Sequence, residues 1–287
     1  MRSESPAEET PAEALKKTSR AGRNLPASIA VGVALIAMVI LSLVLVKEVF
    51  IAVVAVALGI GLFELARAFS TARIHLPVLP VITGGTIMLV GGYYGSMETA
   101  AVAMALTVIG TMVWRLTEGA DGFVRDVSAG VFSLSYLYLM GTFVLLMLKE
   151  DDGPWRIVAF IVATIASDIG GYVAGVLFGK HPMAPTISPK KSWEGFTGSL
   201  IFGVATGILT VTYALDGTWW VGIVLGVAGV VFATLGDLSE SLIKRDLGIK
   251  DMGDLLPGHG GLMDRLDSLI AVAPIAWLIL YTLVDVT

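Results

Sequence analysis

Thr218-Trp-Trp-Val-Gly-Ile-Val-Leu-Gly-Val-Ala-Gly-Val-Val-Phe-Ala-Thr-Leu-Gly-Asp237-Leu-Ser-Glu240-Ser-Leu-Ile-Lys244-Arg245 is the stretch that decides how this chain folds. It carries no charge from Thr218 to Gly236, and then Asp237, Glu240, Lys244 and Arg245 follow in quick succession. A bilayer core of ~30 Å needs ~20 helical residues. The run has that length, and its apolar residues are continuous rather than alternating. It therefore reads as a membrane-spanning helix rather than a barrel strand.

Similar runs recur. Nine are expected to span: 25–46, 49–69, 76–95, 98–115, 127–148, 155–178, 195–214, 218–242 and 262–284. Between the third and fourth, Gly91-Gly92-Tyr93-Tyr94-Gly95 fits either a turn or a kinked helix. The whole chain agrees with this reading. Of 287 residues 55% are hydrophobic and only 15% charged, against about 25% charged in soluble domains. A soluble sphere of this size would expose large apolar patches. The fold class expected is all-α, a polytopic helical bundle over residues 25–287. Residues 1–24 are polar and aperiodic and read as a disordered cytoplasmic tail. That polar lead is long and the first apolar run is of full spanning length, which argues against a cleaved signal peptide. The 33 glycines suit close helix approach in lipid. No cysteine is present, so disulfides, thiolate metal sites and cysteine nucleophiles are excluded.

Nine spans divide the 19 Lys and Arg residues unequally. Sixteen fall on the side of the N-terminus, and only Lys47, Lys149 and Arg156 on the other. The positive-inside rule then places the N-terminus in the cytoplasm and the C-terminus outside. The two longest internal polar connections, 179–194 and 243–261, lie on the cytoplasmic side. Any chemistry is expected to face the cytoplasm.

The polar region from Gly236 to Ser268 is the densest in the chain. Asp237, Glu240, Ser241 and Lys244 share one helix face, and so do Asp264, Asp267 and Ser268. Ionised groups near membrane depth cost ~2.5–3.5 kcal/mol each. Asp237, Glu240, Lys244, Asp264, Arg265 and Asp267 must therefore pair, bind an ion or line a wet cavity. Carboxylates from two helices repel unless a cation separates them. Hard divalent cations such as Mg²⁺ commonly take one or two carboxylates together with substrate phosphate. A salt-bridge network at a helix end is the plainer alternative. The loop Pro257-Gly258-His259-Gly260-Gly261 adds backbone N–H groups able to close on an anion, and the next helix offers its N-terminus to it.

The block Ser241-x-Ile243-Lys244-Arg245-x4-Lys250-Asp251-x-Gly253-x2-Leu256-Pro257-x-His259-Gly260-Gly261-Leu262-x-Asp264-Arg265-Leu266-Asp267 resembles the signature of the phosphatidate cytidylyltransferases, or CDP-diacylglycerol synthases. Ser167-Asp168-x-Gly170-Gly171-Tyr172 and Ile187-Ser188-Pro189-Lys190-Lys191-Ser192-x-Glu194-Gly195 resemble further blocks of that family. The likeness covers the C-terminal half. It implies a polytopic inner-membrane enzyme, often dimeric, that condenses phosphatidic acid with CTP to CDP-diacylglycerol and pyrophosphate. It also implies Mg²⁺, with room for a second cation, on Asp237 and Asp264, supported by Asp267. No nucleic-acid partner is expected.

In such a reaction both partners are anions, so neutralising charge is the main task. Lys244 and Arg245 are placed to hold phosphate. The attacking phosphate is already ionised, so His259 is given a positioning or leaving-group contact rather than the part of a general base. Ser241, Lys250, Gly258, Gly260, Gly261 and Arg265 complete the expected substrate contacts. Lys190 and Lys191, in a loop after Pro189, read either as a clamp on CTP or the lipid head group or as ordinary flanking charge. Asp168, an acid within a span, is expected in the same polar cavity. Gly171-x3-Gly175-x3-Gly179 reads as helix packing.

Asp121-Gly122-x2-Arg125 looks superficially like the start of the CDP-alcohol phosphotransferase pattern, but Val124 stands where Ala is required and the later aspartates are missing. No Walker loop, dinucleotide fingerprint, zinc-protease motif or nucleophile elbow occurs. The competing class is an ion-coupled transporter whose intramembrane acids bind the driving ion.

Overall fold

The computed structural model describes residues 25–255 and 260–284. The tail 1–24 and the pair Gly258 and His259 lie outside the described residues.

Each apolar run is helical: α1 (Leu25–Leu45), α2 (Lys47–Thr71), α3 (Val78–Tyr94), α4 (Met97–Leu116), α5 (Phe123–Ser133), α6 (Met140–Lys149), α7 (Gly153–Phe178), α8 (Trp193–Ala214), α9 (Trp219–Asp246) and α10 (Met263–Leu283). A π-helical turn, Leu134–Leu139, joins α5 and α6 into one continuous rod. Among the described residues seven rods are long and apolar enough to cross a membrane. Val78–Tyr94, at 17 residues, is shorter, whereas α1 runs for 21 residues. The fold class is as expected, and seven of the nine expected spans meet that length and apolarity among the described residues. Gly91 to Tyr94 continue α3 as helix. The break comes at Gly95, and Ser96 starts α4 by accepting from the Thr99 N–H at 3.4 Å.

Glycine sets the spacing of α7, α8 and α9. A Cβ on Gly170 would stand 2.6 Å from the Gly198 carbonyl oxygen of α8. One on Gly222 of α9 would meet Gly207 O at 2.5 Å, and one on Gly226 would meet Gly203 O at 2.6 Å. These helices touch backbone to backbone, which only residues without a side chain permit. The Gly171, Gly175, Gly179 series belongs to the same contact, facing Ser199, Gly195 and Ser192 of the α8 side. At the α9–α10 seam a Cβ on Gly236 would lie 2.7 Å from Asp267 O.

Between α7 and α8 the chain makes an antiparallel hairpin, β1 (Pro182–Ala184) and β2 (Ser188–Ser192), with Pro182 opposite Ser192 and Ala184 opposite Ser188. Lys190 and Lys191, expected in a loop, are thus on a strand. Successive residues of a strand face opposite ways. Lys190 is exposed and Lys191 is half-buried.

Asp121 and Arg125 of the discarded motif serve a buried ion network. Asp126, 1% exposed, accepts from Arg115 at 3.0 Å, Arg125 at 3.1 Å and the His75 N–H at 3.0 Å. Arg115 also donates to Asp121 O at 2.9 Å. The network closes the end of α4 onto α5 and onto the α2–α3 connection.

Helix α10 is anchored at both ends by charge from other helices. At its C-terminal end Arg156 of α7, 1% exposed, donates to Leu280 O at 2.6 Å and to Val284 O at 3.3 Å. Its Nε donates to Asp152 at 2.6 Å. The last carbonyls of a helix lack internal partners and carry partial negative charge. A buried guanidinium satisfies both needs. At the N-terminal end the anchor is Glu64, described below.

Candidate active site

Helices α9 and α10 bring their acids together because the α9 face that carries Asp237, Glu240 and Lys244 packs on the first two turns of α10. Lys191 of β2 pairs with one Asp237 oxygen. The other accepts the Ser268 hydroxyl at 2.5 Å. Two turns further along α9, Lys244 lies 3.2 Å from Glu240 and 2.8 Å from Asp264. Asp264 Oδ2 accepts the Met252 N–H at 3.1 Å and the Gly261 N–H at 2.9 Å. Between these two knots lie the Glu240 and Asp267 carboxyl groups, within electrostatic reach of each other. Glu240 is 1% exposed, and its Oε1 has no hydrogen-bond partner among the described residues. Asp267 accepts the Ser268 N–H at 2.8 Å.

The acids expected to form the site are therefore adjacent, but Asp237 and Asp264 share no hydrogen-bond partner. Each is held by its own lysine. Four carboxyl groups, Asp237, Glu240, Asp264 and Asp267, stand against two ammonium groups, Lys191 and Lys244. Fully ionised, the cluster carries two negative charges in excess. Among the described residues no three carboxylate or imidazole groups form a ready-made cage for a metal. Hard oxygen donors, an orphaned buried Glu240 oxygen and a charge deficit nevertheless suit a divalent cation that draws its remaining ligands from water or phosphate.

The other expected residues divide by position. Asp168, exposed on α7, lies within electrostatic reach of Asp237, Lys191 and Arg265, so it belongs to the same region. Ser241 is half-buried on α9. Arg245, Lys250 and Arg265 are exposed and make no ion pair among the described residues, as does Lys190. Gly260 has φ of +82°, a conformation that glycine tolerates best, and Gly261 is buried beside Asp264.

Two residues escaped sequence reasoning. Glu64 of α2, 8% exposed, accepts the Leu262 N–H at 3.0 Å and the Met263 N–H at 2.8 Å. The N-terminus of α10 was expected to face a substrate anion. Its first N–H groups are instead taken by Glu64, and that of Gly261 by Asp264. The reason is electrostatic. An unsatisfied helix N-terminus within a membrane attracts whatever carboxylate is nearest. An acid fifteen residues into an apolar run whose other charge is Arg67 was the signal. The second is Tyr136 on the π-helical turn. Its buried hydroxyl has no partner among the described residues, and it is within electrostatic reach of Glu240, Asp267 and Asp237. Nothing in the local sequence marks the extra residue of a π turn.

Comparison with known proteins identifies the family. The Cytidylyltransferase family model matches residues 27–283. The phosphatidate cytidylyltransferase of Mycobacterium bovis is 44% identical over 96% of this chain and 95% of its own length. That of Mycobacterium leprae is 43% identical over 93% of this chain and 91% of its own. The Haemophilus influenzae enzyme of the same name is 41% identical, but over only 42% of this chain and 44% of its own. With a match running from the first described helix to the last, and a charged α9–α10 seam of the kind nucleotide chemistry needs, the chain belongs to the cytidylyltransferase family.

Proposed function

We propose that this protein transfers a cytidylyl group from CTP to phosphatidic acid, giving CDP-diacylglycerol and pyrophosphate. The lipid phosphate oxygen attacks the α-phosphorus of CTP in line, and the bond from that phosphorus to the β-phosphate bridging oxygen breaks. The observation that carries this reading is the α9–α10 cluster. It concentrates excess carboxyl groups beside lysines at one end of a membrane-embedded bundle, in a family whose relatives named above are phosphatidate cytidylyltransferases.

The chain's own residues supply charge and position. Lys191 and Lys244 are compact charges already inside the cluster, held by Asp237 and Asp264 and within reach of incoming phosphate oxygens. Arg245, Lys250 and Arg265 extend positive charge over the exposed rim. Asp237 and Asp264, with Asp267, would hold Mg²⁺. When bound, that ion supplies neutralisation of phosphate charge. The ionised lipid phosphate needs no strong base. The positive-inside asymmetry supports a cytoplasmic site in the inner membrane, with the N-terminus inside and the C-terminus outside.

The test is direct. Purified protein in detergent is given phosphatidic acid, labelled CTP and Mg²⁺, and the lipid is extracted with and without chelator. Labelled lipid that disappears with chelator is expected. No labelled lipid at any Mg²⁺ concentration refutes the enzyme reading, and an ion-coupled carrier would give that result because it needs a sealed compartment.

A further inference from the structure

The N-terminal half of the chain carries none of the quoted motif, yet its Glu64 reaches into the centre of the site. The acid lies inside α2, about two turns before Thr71. Both its oxygens are used, one on the N–H of Leu262, the residue that caps α10, and one on the N–H of Met263, its first residue. It is also the wall on which the connection between α9 and α10 turns. A Cβ on Gly253 would lie 2.5 Å from Glu64 Oε1, and one on Gly261 would lie 2.8 Å from Oε2. The two described ends of that connection thus close on one carboxylate. Beyond them α2 keeps contact with the same region. Arg67 lies 3.5 Å from Asp254, and the Thr71 hydroxyl reaches Leu247 O at 3.4 Å.

The consequence for Asp264 is geometric. It sits in the first turn of α10, immediately after the two N–H groups that Glu64 holds. Its Oδ2 rests on the N–H of Met252, next to Gly253, and on the N–H of Gly261, itself one of the two glycines that abut Glu64. Remove the Glu64 clamp and the turn carrying Asp264 loses its fixed origin. The two backbone segments that orient its carboxylate lose it as well. Errors of this size matter, since a displacement of ~1 Å can lower a rate ~10²-fold.

We infer that Glu64 is a positioning residue for the transfer reaction, acting through Asp264 by fixing the first turn of α10 and both ends of the segment that precedes it. This inference rests on the cytidylyl-transfer reading above.

Three variants test it alongside wild type. Glu64→Gln keeps the shape but offers one acceptor oxygen where two N–H groups converge, and it turns an amide NH₂ toward the other. Glu64→Asp keeps charge and both oxygens on a shorter arm. Arg156→Met removes the anchor at the opposite end of α10, far from the cluster, and reports what loosening the helix alone does. Turnover per folded molecule is measured by lipid extraction, and folding by thermal unfolding in detergent. Glu64→Gln should lower kcat on the order of 10-fold, with KM for CTP held within about twofold. Glu64→Asp should recover part of the loss. Arg156→Met should lower the unfolding temperature with kcat per folded molecule unchanged. Wild-type kcat in folded Glu64→Gln overturns the inference. Equal kcat loss in Glu64→Gln and Arg156→Met overturns it as well, because the effect would then be stability alone. If Glu64→Gln does not fold, Gly253→Ala presses a methyl group on the same carboxylate, and its kcat decides: a similar loss supports the inference and wild-type turnover overturns it. An inactive wild type would refute the transfer reading itself, which is a separate outcome.

Discussion

The two ends of α10 solve the same problem with opposite charges and different surroundings. A helix buried in lipid cannot leave its terminal N–H and C=O groups to water. At one end Glu64 accepts from Leu262 and Met263. At the other Arg156 donates to Leu280 and Val284. Each anchor comes from another helix and complements the helix dipole. The Arg156 end stops there: one arginine, Asp152 and two carbonyls. The Glu64 end continues into a network of acids and lysines with more negative than positive charge. The difference shows how a structural requirement, the capping of a buried helix, also places a chemical group. Asp264 falls where it does because the turn it occupies must be held.

The comparison can be broken most severely at the acids. Asp264→Asn or Asp237→Asn should cost at least ~10²-fold in kcat, the scale of losing a principal electrostatic stabiliser. Lipid extraction measures it, and near-normal turnover would dissociate the cluster from the chemistry. Arg156→Met should cost about 3 kcal/mol of stability, as when a buried charge loses its partner, read as a lowered unfolding transition with turnover per folded molecule intact. Lys191→Ala, which frees Asp237, should raise KM for CTP or phosphatidic acid severalfold. Lys190→Ala, on the outer face of the same strand, should leave both within about twofold, the scale of a solvated surface charge. A larger effect at Lys190 than at Lys191 would reverse the assignment of the clamp. Ser268→Ala should have the smallest effect within the cluster. It removes a single hydrogen bond from a neutral donor to Asp237, a loss of about 0.5 kcal/mol or roughly twofold.

Helices and motif were legible in the sequence because their physics is local. Continuous apolar runs set the rods. The i, i+3, i+4 spacing of Asp237, Glu240, Ser241 and Lys244 placed them on one face, and the structure keeps that face against α10. What escaped was set by partners far away in the chain. Glu64 and Arg156 are single charges with no neighbouring pattern. Arg156 counted as a positive charge at a helix end, and Arg115 likewise, yet both are buried and held by partners within the bundle. Lys190 and Lys191 are identical neighbours in sequence, and only the strand's alternation separates the one that meets Asp237 from the one that faces out. The count of spans depends on how long a helix must be. Val78–Tyr94, at 17 residues, shows that a run can be apolar and helical yet end at a glycine short of full length.

The direct carbonyl-to-glycine contacts among α7, α8 and α9, with Gly236 against α10, have a mechanical consequence. Helices that meet without intervening side chains cannot slide without collision, so the four form a frame on which Asp168, Asp237 and Glu240 keep their separations, while Asp264 depends on the Glu64 clamp as well. Accommodation to a guest molecule then falls to parts with rotatable bonds. Lys191 and Lys244, each on a flexible four-carbon stem, are the movable counterweights in an otherwise rigid balance of charge.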